Sequence, residues 1–294
     1  MSSPHNQPAA APTPTGSGVS RRWLYLALGV AVLFVLMPFL FWQSTWFGRP
    51  LSDEQIQQYL NVQEHPRKAQ HALSQIADRL GSRDPVVRAS VRHWYPQVVA
   101  LSASPVDELR LTAAWVMGQD NAAPEFHAPL LWLLADPHPM VQRNAALSLV
   151  RFGDASGRPV ILAMLEPYTV PAPQPGSLAQ RLKVGDIVNP GTLLARIRSG
   201  EANVEVRSQV SGTLDRWLAP NGEPVTAGQG LAQLSPSPEM VWEALRALYL
   251  VGREEDLPAV ERYARGLANM PELVRQQAER TARAIRSRSS PDTP

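Results

Sequence analysis

Apolar positions divide the chain into stretches of different kind. From Trp23 to Trp42 they run almost unbroken. From Leu51 to about Leu165 they recur at three- and four-residue steps, from Tyr168 to Ser235 they sit between evenly spaced glycines, and from Pro238 the three- and four-residue steps resume. Such steps put side chains on one face of a helix, so Ala69, Leu73, Ile76, Ala77 and Leu80 predict one buried stripe, and Leu109, Ala113, Val116 and Met117 another. Val274, Ala278, Ala282 and Ile285 predict a third, on a helix from Pro271 to Arg286. Proline opens these helices at Pro66, Pro85, Pro105, Pro124 and Pro139, where a first-turn residue has no hydrogen bond to lose.

The helical pattern repeats. Ser104-Pro105 and Asp136-Pro137 stand 32 residues apart, with Leu109 to Ala114 lying over Val141 to Ala146, and Pro238-Glu239-Met240-Val241 returns 33 residues later as Pro271-Glu272-Leu273-Val274. Met140 and Met240 are 100 apart, and removing the roughly 68 residues of the glycine-spaced segment leaves one repeat period. The arithmetic predicts a compact unit inserted into a column of paired helices.

The inserted segment is itself doubled. Val170 to Gly176 returns 36 residues on as Val206 to Gly212, and Gly185, Val188, Gly191, Leu194 and Ala195 return 37 residues on as Gly222, Val225, Gly228, Leu231 and Ala232. That pattern suits short strands between tight turns, with glycine at positive φ and valine and leucine pointing inward. Eight of the chain's 18 glycines lie here.

Two resemblances follow from these motifs. The helical units, most closely Asp136-Pro137-His138-Pro139-Met140-Val141-Gln142-Arg143-Asn144-Ala145-Ala146, resemble HEAT repeats, which implies a curved stack used for protein contacts. The doubled segment resembles the biotin/lipoyl attachment domain and the barrel-sandwich part of bacterial membrane fusion proteins. In the carrier members, the resemblance implies, a lysine at the hairpin tip between the halves is acylated. Here the tip reads Arg198-Ser199-Gly200-Glu201-Ala202-Asn203, with Glu201 near the lysine position, and the chain's lysines are Lys68 and Lys183. Arginine stays protonated and cannot replace the acylated amine, so no cofactor is expected. Membrane fusion proteins usually place a helical hairpin between the two halves and a β-barrel after them, whereas here a short turn joins the halves and helices follow.

Flanking regions complete the plan. Residues 1–20 are rich in Ser, Thr, Pro and Ala and carry no Asp, Glu, Lys or Arg, which predicts a disordered tail. About 20 apolar residues match the ~30 Å hydrocarbon core, so 21–45 predicts one transmembrane helix, with Trp23, Tyr25, Phe41, Trp42 and Trp46 as interfacial anchors and Pro38 tolerated near its far end. The run is too long for a signal peptide and no small-residue cleavage site follows it. Arg21 and Arg22 before it, against Arg49 followed by Asp53 and Glu54, orient the amino terminus to the cytoplasm.

Catalytic chemistry is not indicated. His5, His65, His71, His93, His127 and His138 show no H-E-x-x-H spacing, and no G-x-S-x-G elbow or phosphate-binding loop is present. The absence of cysteine excludes disulfides and thiol-ligated metals. A pI near 9.1 accompanies a formal charge of only +2 with acidic residues interspersed, which gives no basis for nucleic-acid binding. Arg275, Arg280, Arg283 and Arg286 near the carboxyl end suit a helix dipole, with anionic lipid or an acidic partner as the other expectation.

The sequence therefore predicts a multidomain α plus β protein: a disordered tail (1–20), a single transmembrane helix (21–45), a HEAT-like α-helical repeat solenoid (51–166 and 238–286), an inserted all-β barrel-sandwich, lipoyl-like domain (168–235) and a second disordered tail (287–294). The expected role is a non-enzymatic scaffold or adaptor in a bacterial inner membrane, single-pass, with the bulk of the chain periplasmic. Its expected partners are the lipid bilayer and proteins bound by the helices and the β domain, with no nucleic acid or small-molecule substrate. A transport or secretion assembly is its most concrete version. The alternatives are a biotin/lipoyl-type carrier or an accessory subunit of a membrane enzyme complex.

Overall fold

The computed structural model describes residues 21–44, 50–61, 65–200, 202–267 and 269–289. The tail expected over 1–20 lies outside them, as do Trp46, Glu201 and residues 290–294. The chain forms two compact units, Met1–Leu51 and Ser52–Pro294.

In the first unit, α1 (Arg21–Ser44) is a single helix. Its described apolar side chains, among them Tyr25, Leu28, Phe34 and Met37, are exposed. Among the described residues no helix is long and apolar enough to cross a membrane. The span expected over 21–45 is not recovered among the described residues. Trp23, Phe41 and Trp42 are not among the side chains described.

The second unit begins with helices. These are α2 (Asp53–Asn61), α3 (Pro66–Leu80), the short α4 (Pro85–Ser90), α5 (Tyr95–Leu101), α6 (Asp107–Met117), α7 (His127–Leu133), α8 (Pro139–Arg151) and α9 (Arg158–Ala163). After the β segment come α10 (Pro238–Val251), α11 (Leu257–Ala264) and α12 (Glu272–Ser289). Helices α3, α6, α8, α10 and α12 form one layer, each against the next, and α2, α5, α7, α9 and α11 cover it. The stripes spaced at three and four residues on α3, α6 and α12 are all buried.

Neighbouring helices of the first layer are stitched at repeat spacing. Asn144 donates to the Leu111 carbonyl (3.1 Å), Ser148 to Ala114 (2.8 Å), Arg151 to Gly118 (2.9 Å) and Thr281 to Leu245 (2.8 Å). Each joins a side chain to backbone one unit earlier, so register along the stack is fixed by groups whose burial without a partner would be costly.

Some helix ends differ from the sequence expectation. Pro105 precedes α6 by two residues, because the Ser104 hydroxyl accepts from the Val106 N–H (3.2 Å) and holds a turn there. Pro124 opens a 3₁₀ turn (Pro124–Phe126) ahead of α7. Helix α12 continues to Ser289, three residues into the expected tail, because Arg288 donates to the carbonyls of Tyr249 (2.7 Å) and Gly252 (2.9 Å) at the end of α10.

The β segment contains β1 (Tyr168–Pro171), β2 (Gly176–Gln180), β3 (Ile187–Val188), β4 (Leu193–Ser199), β5 (Ala202–Arg207), β6 (Gly212–Trp217), β7 (Pro224–Val225) and β8 (Gly230–Pro236). One sheet has the order β1-β8-β6-β3 and the other β5-β4-β2-β7, with every pairing antiparallel. Shifting each label by four turns one sheet into the other, so each sheet contains strands of both halves. The shared core holds the equivalent pairs Leu178 and Leu214, Val188 and Val225, Leu194 and Leu231, and Ala195 and Ala232.

Backbone hydrogen bonds are exchanged reciprocally between the halves. The Gly185 N–H donates to the Leu214 carbonyl (2.8 Å) and the Gly222 N–H to Leu178 (2.7 Å); Gly191 donates to Ser208 (2.7 Å) and Gly228 to Ala172 (2.8 Å). Gly185 and Gly222 sit at φ +94° and +88°, a conformation that turns these amides toward the other half and that side-chain-bearing residues rarely adopt. Gly176 and Gly212 have a different reason to be glycine. A Cβ there would collide with the carbonyl oxygens of Arg198 and Ser235, again a matched pair.

One apolar cluster joins α8 and α9 to the last three helices, through Ala146, Val150, Ile161, Met164, Val241, Leu245, Leu248, Val260, Ala278 and Ile285. The helical core is thus continuous across a β segment of nearly seventy residues.

Two outcomes test this account. Gly176→Val and Gly212→Val are each expected to destabilise the β unit by roughly 2–4 kcal/mol, seen as a lower unfolding midpoint, because backbone carbonyls cannot move aside as a flexible side chain can. Asp136 is buried at the α7–α8 turn and accepts from Arg110 (2.6 and 3.0 Å) and the His138 N–H (2.8 Å). Burial alone would raise its pKa, but these bonds outweigh it and hold the carboxyl below the usual range. A depressed folded-state pKa gives stability that is present above the unfolded value near 3.9 and lost as pH falls through the folded value. Asp136→Asn is expected to cost about 2–4 kcal/mol at pH 7, with the gap from wild type narrowing below about pH 4 in chemical unfolding.

Candidate functional site

The candidate site is the β4–β5 hairpin tip. The strands pair from Leu193 with Arg207 to Ser199 with Ala202, a register that leaves a two-residue connection. Gly200 supplies the reversal at φ +60°. Glu201, the residue near the carrier lysine position, lies outside the described residues.

Topology fixes where this tip points. In one sheet β4 and β5 are neighbours closed by the hairpin; in the other, β8 and β1 occupy the equivalent places and open into α10 and α9. Tyr168 pairs with Leu234, so the chain enters and leaves the β unit side by side. The pseudo-twofold relation puts the tip at the pole opposite those ends. The attached pole is anchored on α8, where Met140 packs against the β core.

Below the tip, Glu205 accepts from its cross-strand partner Arg196 (3.1 Å) and from Arg207 on its own strand (2.7 Å), while Arg207 also donates to the Gly191 carbonyl (2.7 Å). Hydrogen bonds from Arg207 and then Arg196 hold the Glu205 carboxyl below its ordinary pKa. Arg198, next toward the tip on the same strand, is exposed opposite Asn203. This collar can make charged hydrogen bonds to a partner, and no base stands beside Ser199 in the described contacts. The alternation Glu205-x-Arg207, which puts both side chains on one strand face, is the sequence signal for the collar, one that carries no periodic trace beyond this strand.

Neither lysine serves the tip. Strand β2 runs from Ser177, paired with Arg198, to Gln180, paired with Ala195, so Lys183 stands beyond the end farther from the hairpin. Its N–H donates to Asp186 (2.8 Å) in an exposed turn. Lys68 lies on α3, over the Tyr59 ring.

The histidines are scattered. His127 pairs with Asp154 (2.7 Å), His138 caps α8 by accepting from the Met140 N–H (3.2 Å) and approaches Asp107 (3.6 Å), and His93 lies against Trp94 with the rings tilted at 45°. Among the described residues no three His, Asp or Glu side chains converge as metal ligands. His5 lies outside them.

Comparison with known proteins bears on both parts of the fold. The family model for HEAT repeats matches residues 96–170, and the model described as "Biotin-requiring enzyme" matches residues 168–234. No curated protein matches. Among solved structures, the chain is similar to one described as the structure and function of a single-chain, multi-domain long-chain acyl-CoA carboxylase, at 16% identity and a TM-score of 0.23. That similarity covers 33% of this chain and 10% of the other, so the chain spans about a tenth of that protein's length, and a superposition this loose carries no argument. The chain combines a HEAT-type helical repeat region with a β domain of the biotin/lipoyl type.

Proposed function

We propose that the protein is a non-enzymatic, membrane-anchored scaffold of the bacterial cell envelope, in which the helical layers hold one partner and the β unit presents its tip to another. The observation that carries this reading is the setting of the β unit. Its two ends are adjacent in one sheet and lead into a single helical core, so the tip is held out on a rigid base. A tethered carrier travels on a flexible arm, whereas this unit is fixed at both ends.

Helix α1 supplies the anchor in this proposal. Its exposed apolar side chains and the uninterrupted run Trp23 to Trp42 suit insertion in a bilayer, and Arg21 and Arg22 orient the amino terminus to the cytoplasm with the bulk periplasmic. The barrel-sandwich resemblance makes a transport or secretion assembly the most concrete setting; an accessory subunit of a membrane enzyme complex uses the same surfaces. Affinity purification of the tagged full chain from gently solubilised native membranes is expected to recover a stoichiometric protein partner. Recovery of the chain alone would remove the basis of the scaffold role.

A second reading is favoured by the match of residues 168–234 to the biotin-requiring enzyme model. On that reading the β domain carries a prosthetic group. The tip sequence Arg198 to Asn203 contains no lysine to form the amide, which weighs against it. Intact-mass measurement of the native protein is expected to give the unmodified mass after normal amino-terminal processing. An added biotinyl or lipoyl amide would establish the carrier and displace the scaffold reading of the tip.

A further inference from the structure

The carboxyl-terminal helices contain a surface the β unit does not use. A groove of about 750 Å³ runs between α10 and α12 and is lined by Arg246, Tyr249, Leu250, Arg280, Arg283 and Ala284, with Gln277 and Ser287 at its sides. No carboxylate is among the lining residues. Tyr249 is 45% and Leu250 59% exposed, large apolar areas open to solvent among the described residues.

Other arginines on these helices are matched. Arg262 pairs with Glu166 (2.9 Å), Arg275 with Glu272 and Glu279, Arg286 with Glu261, and Arg288 donates to the carbonyls at the end of α10. The groove arginines are not so placed. Arg246 lies over the Trp242 ring (4.6 Å) and is felt by Glu243 without an ion pair, and Arg280 and Arg283 stand one turn apart on α12 with no acceptor in hydrogen-bond reach among the described residues. A helix dipole does not account for them, because Arg280 and Arg283 lie before the last turn of α12, which holds Arg286 and Arg288. Three like charges around one apolar floor raise a positive potential that favours an anionic occupant.

We infer that this groove docks an acidic, amphipathic segment of a partner protein, its apolar side chains against Tyr249, Leu250 and Ala284 and its carboxylates on Arg246, Arg280 and Arg283. The inference rests on the scaffold reading and assigns it a partner chemistry. A concave site with an apolar floor favours a polypeptide over a lipid surface, since a flat sheet of headgroups meets the ridges and leaves the floor uncovered. Arginine also binds carboxylates in two-point fashion, which suits rows of Asp and Glu.

The test is to pan a displayed library of random dodecapeptides on the full chain, with the Arg280→Glu/Arg283→Glu double variant as counter-selection. Both positions are exposed, and circular dichroism and the unfolding midpoint check that the variant folds as wild type does. Enriched peptides are expected to combine Asp or Glu with Leu or aromatic residues, and synthetic copies are expected to lose at least tenfold in affinity for the variant and to weaken as salt rises from 50 to 500 mM. Enrichment without acidic bias, or equal affinity for both proteins, overturns the inference. So does co-sedimentation with phosphatidylglycerol vesicles that depends on these arginines while no peptide is selected; α1 is common to both proteins, so only their difference counts. If affinity purification recovers a partner that the double variant still binds and no acidic peptide is selected, the groove fails and the scaffold stands. If acidic peptides bind through the arginines while no native partner is recovered, the scaffold fails alone.

Discussion

The β unit depends on an exchange of backbone hydrogen bonds between two halves that cannot close alone. Each half turns on a glycine whose amide reaches the other half: Gly185 to Leu214 and Gly222 to Leu178, then Gly191 to Ser208 and Gly228 to Ala172. Remove one half, and the other keeps a single strand pair, β2 with β4 or β6 with β8, while its remaining two strands lose the neighbours they pair with. Buried N–H and C=O groups would then lack partners, at a cost no short strand can offset with its own apolar surface. Ser208 departs from the symmetry, because its equivalent is Ala172. Its buried hydroxyl donates to the Val210 carbonyl (2.7 Å), so the polar atom is satisfied within its own turn.

The same exchange explains how a β unit fits within stacked helices. Because β1 and β8 are antiparallel neighbours, the ends of the unit emerge together, and joining them to a helical array adds little loop-closure cost. Stitches at repeat spacing hold the array on either side, with Asn144, Ser148 and Arg151 before the segment and Thr281 after it. Between them, Arg158 reaches Asp256 (2.7 Å) and the Tyr263 hydroxyl donates to the Leu165 carbonyl (2.6 Å), contacts that cross nearly one hundred residues of sequence.

What the sequence made legible is what repeats. Matched offsets of 36 and 37 residues identify the residue pairs that line the β core, and the three- and four-residue steps identify the buried faces of α3, α6 and α12. Single interactions that end or start an element leave no periodic trace. The Ser104 hydroxyl delays α6, and Arg288 extends α12 by reaching another helix; neither fact can be read locally. At the tip, the missing lysine was plain from composition, whereas the collar around Glu205 required knowing which strands are neighbours. The groove arginines show the limit most clearly. Arg280 and Arg283 were visible as a charged stretch of one helix, but Arg246 joins them from a helix more than thirty residues away, and only packing shows which arginines already have carboxylates.

A fixed base changes what a lipoyl-type domain is suited to do. A carrier function needs a reactive arm that visits separate sites, and therefore an acylated side chain and freedom for the domain to travel. This unit is tied at both ends and packs through Met140 onto α8, and its one lysine, Lys183, stands away from the tip. On the proposed scaffold reading, what remains is a small surface whose position relative to the helices is set by shared packing. Rigidity lowers the ordering entropy lost when a partner binds, so a collar of a few charged groups can act as a selective contact without a large apolar interface. The features that weaken the case for a carrier are thus the same ones that favour docking, and they follow from the two halves closing upon each other with their ends in one sheet.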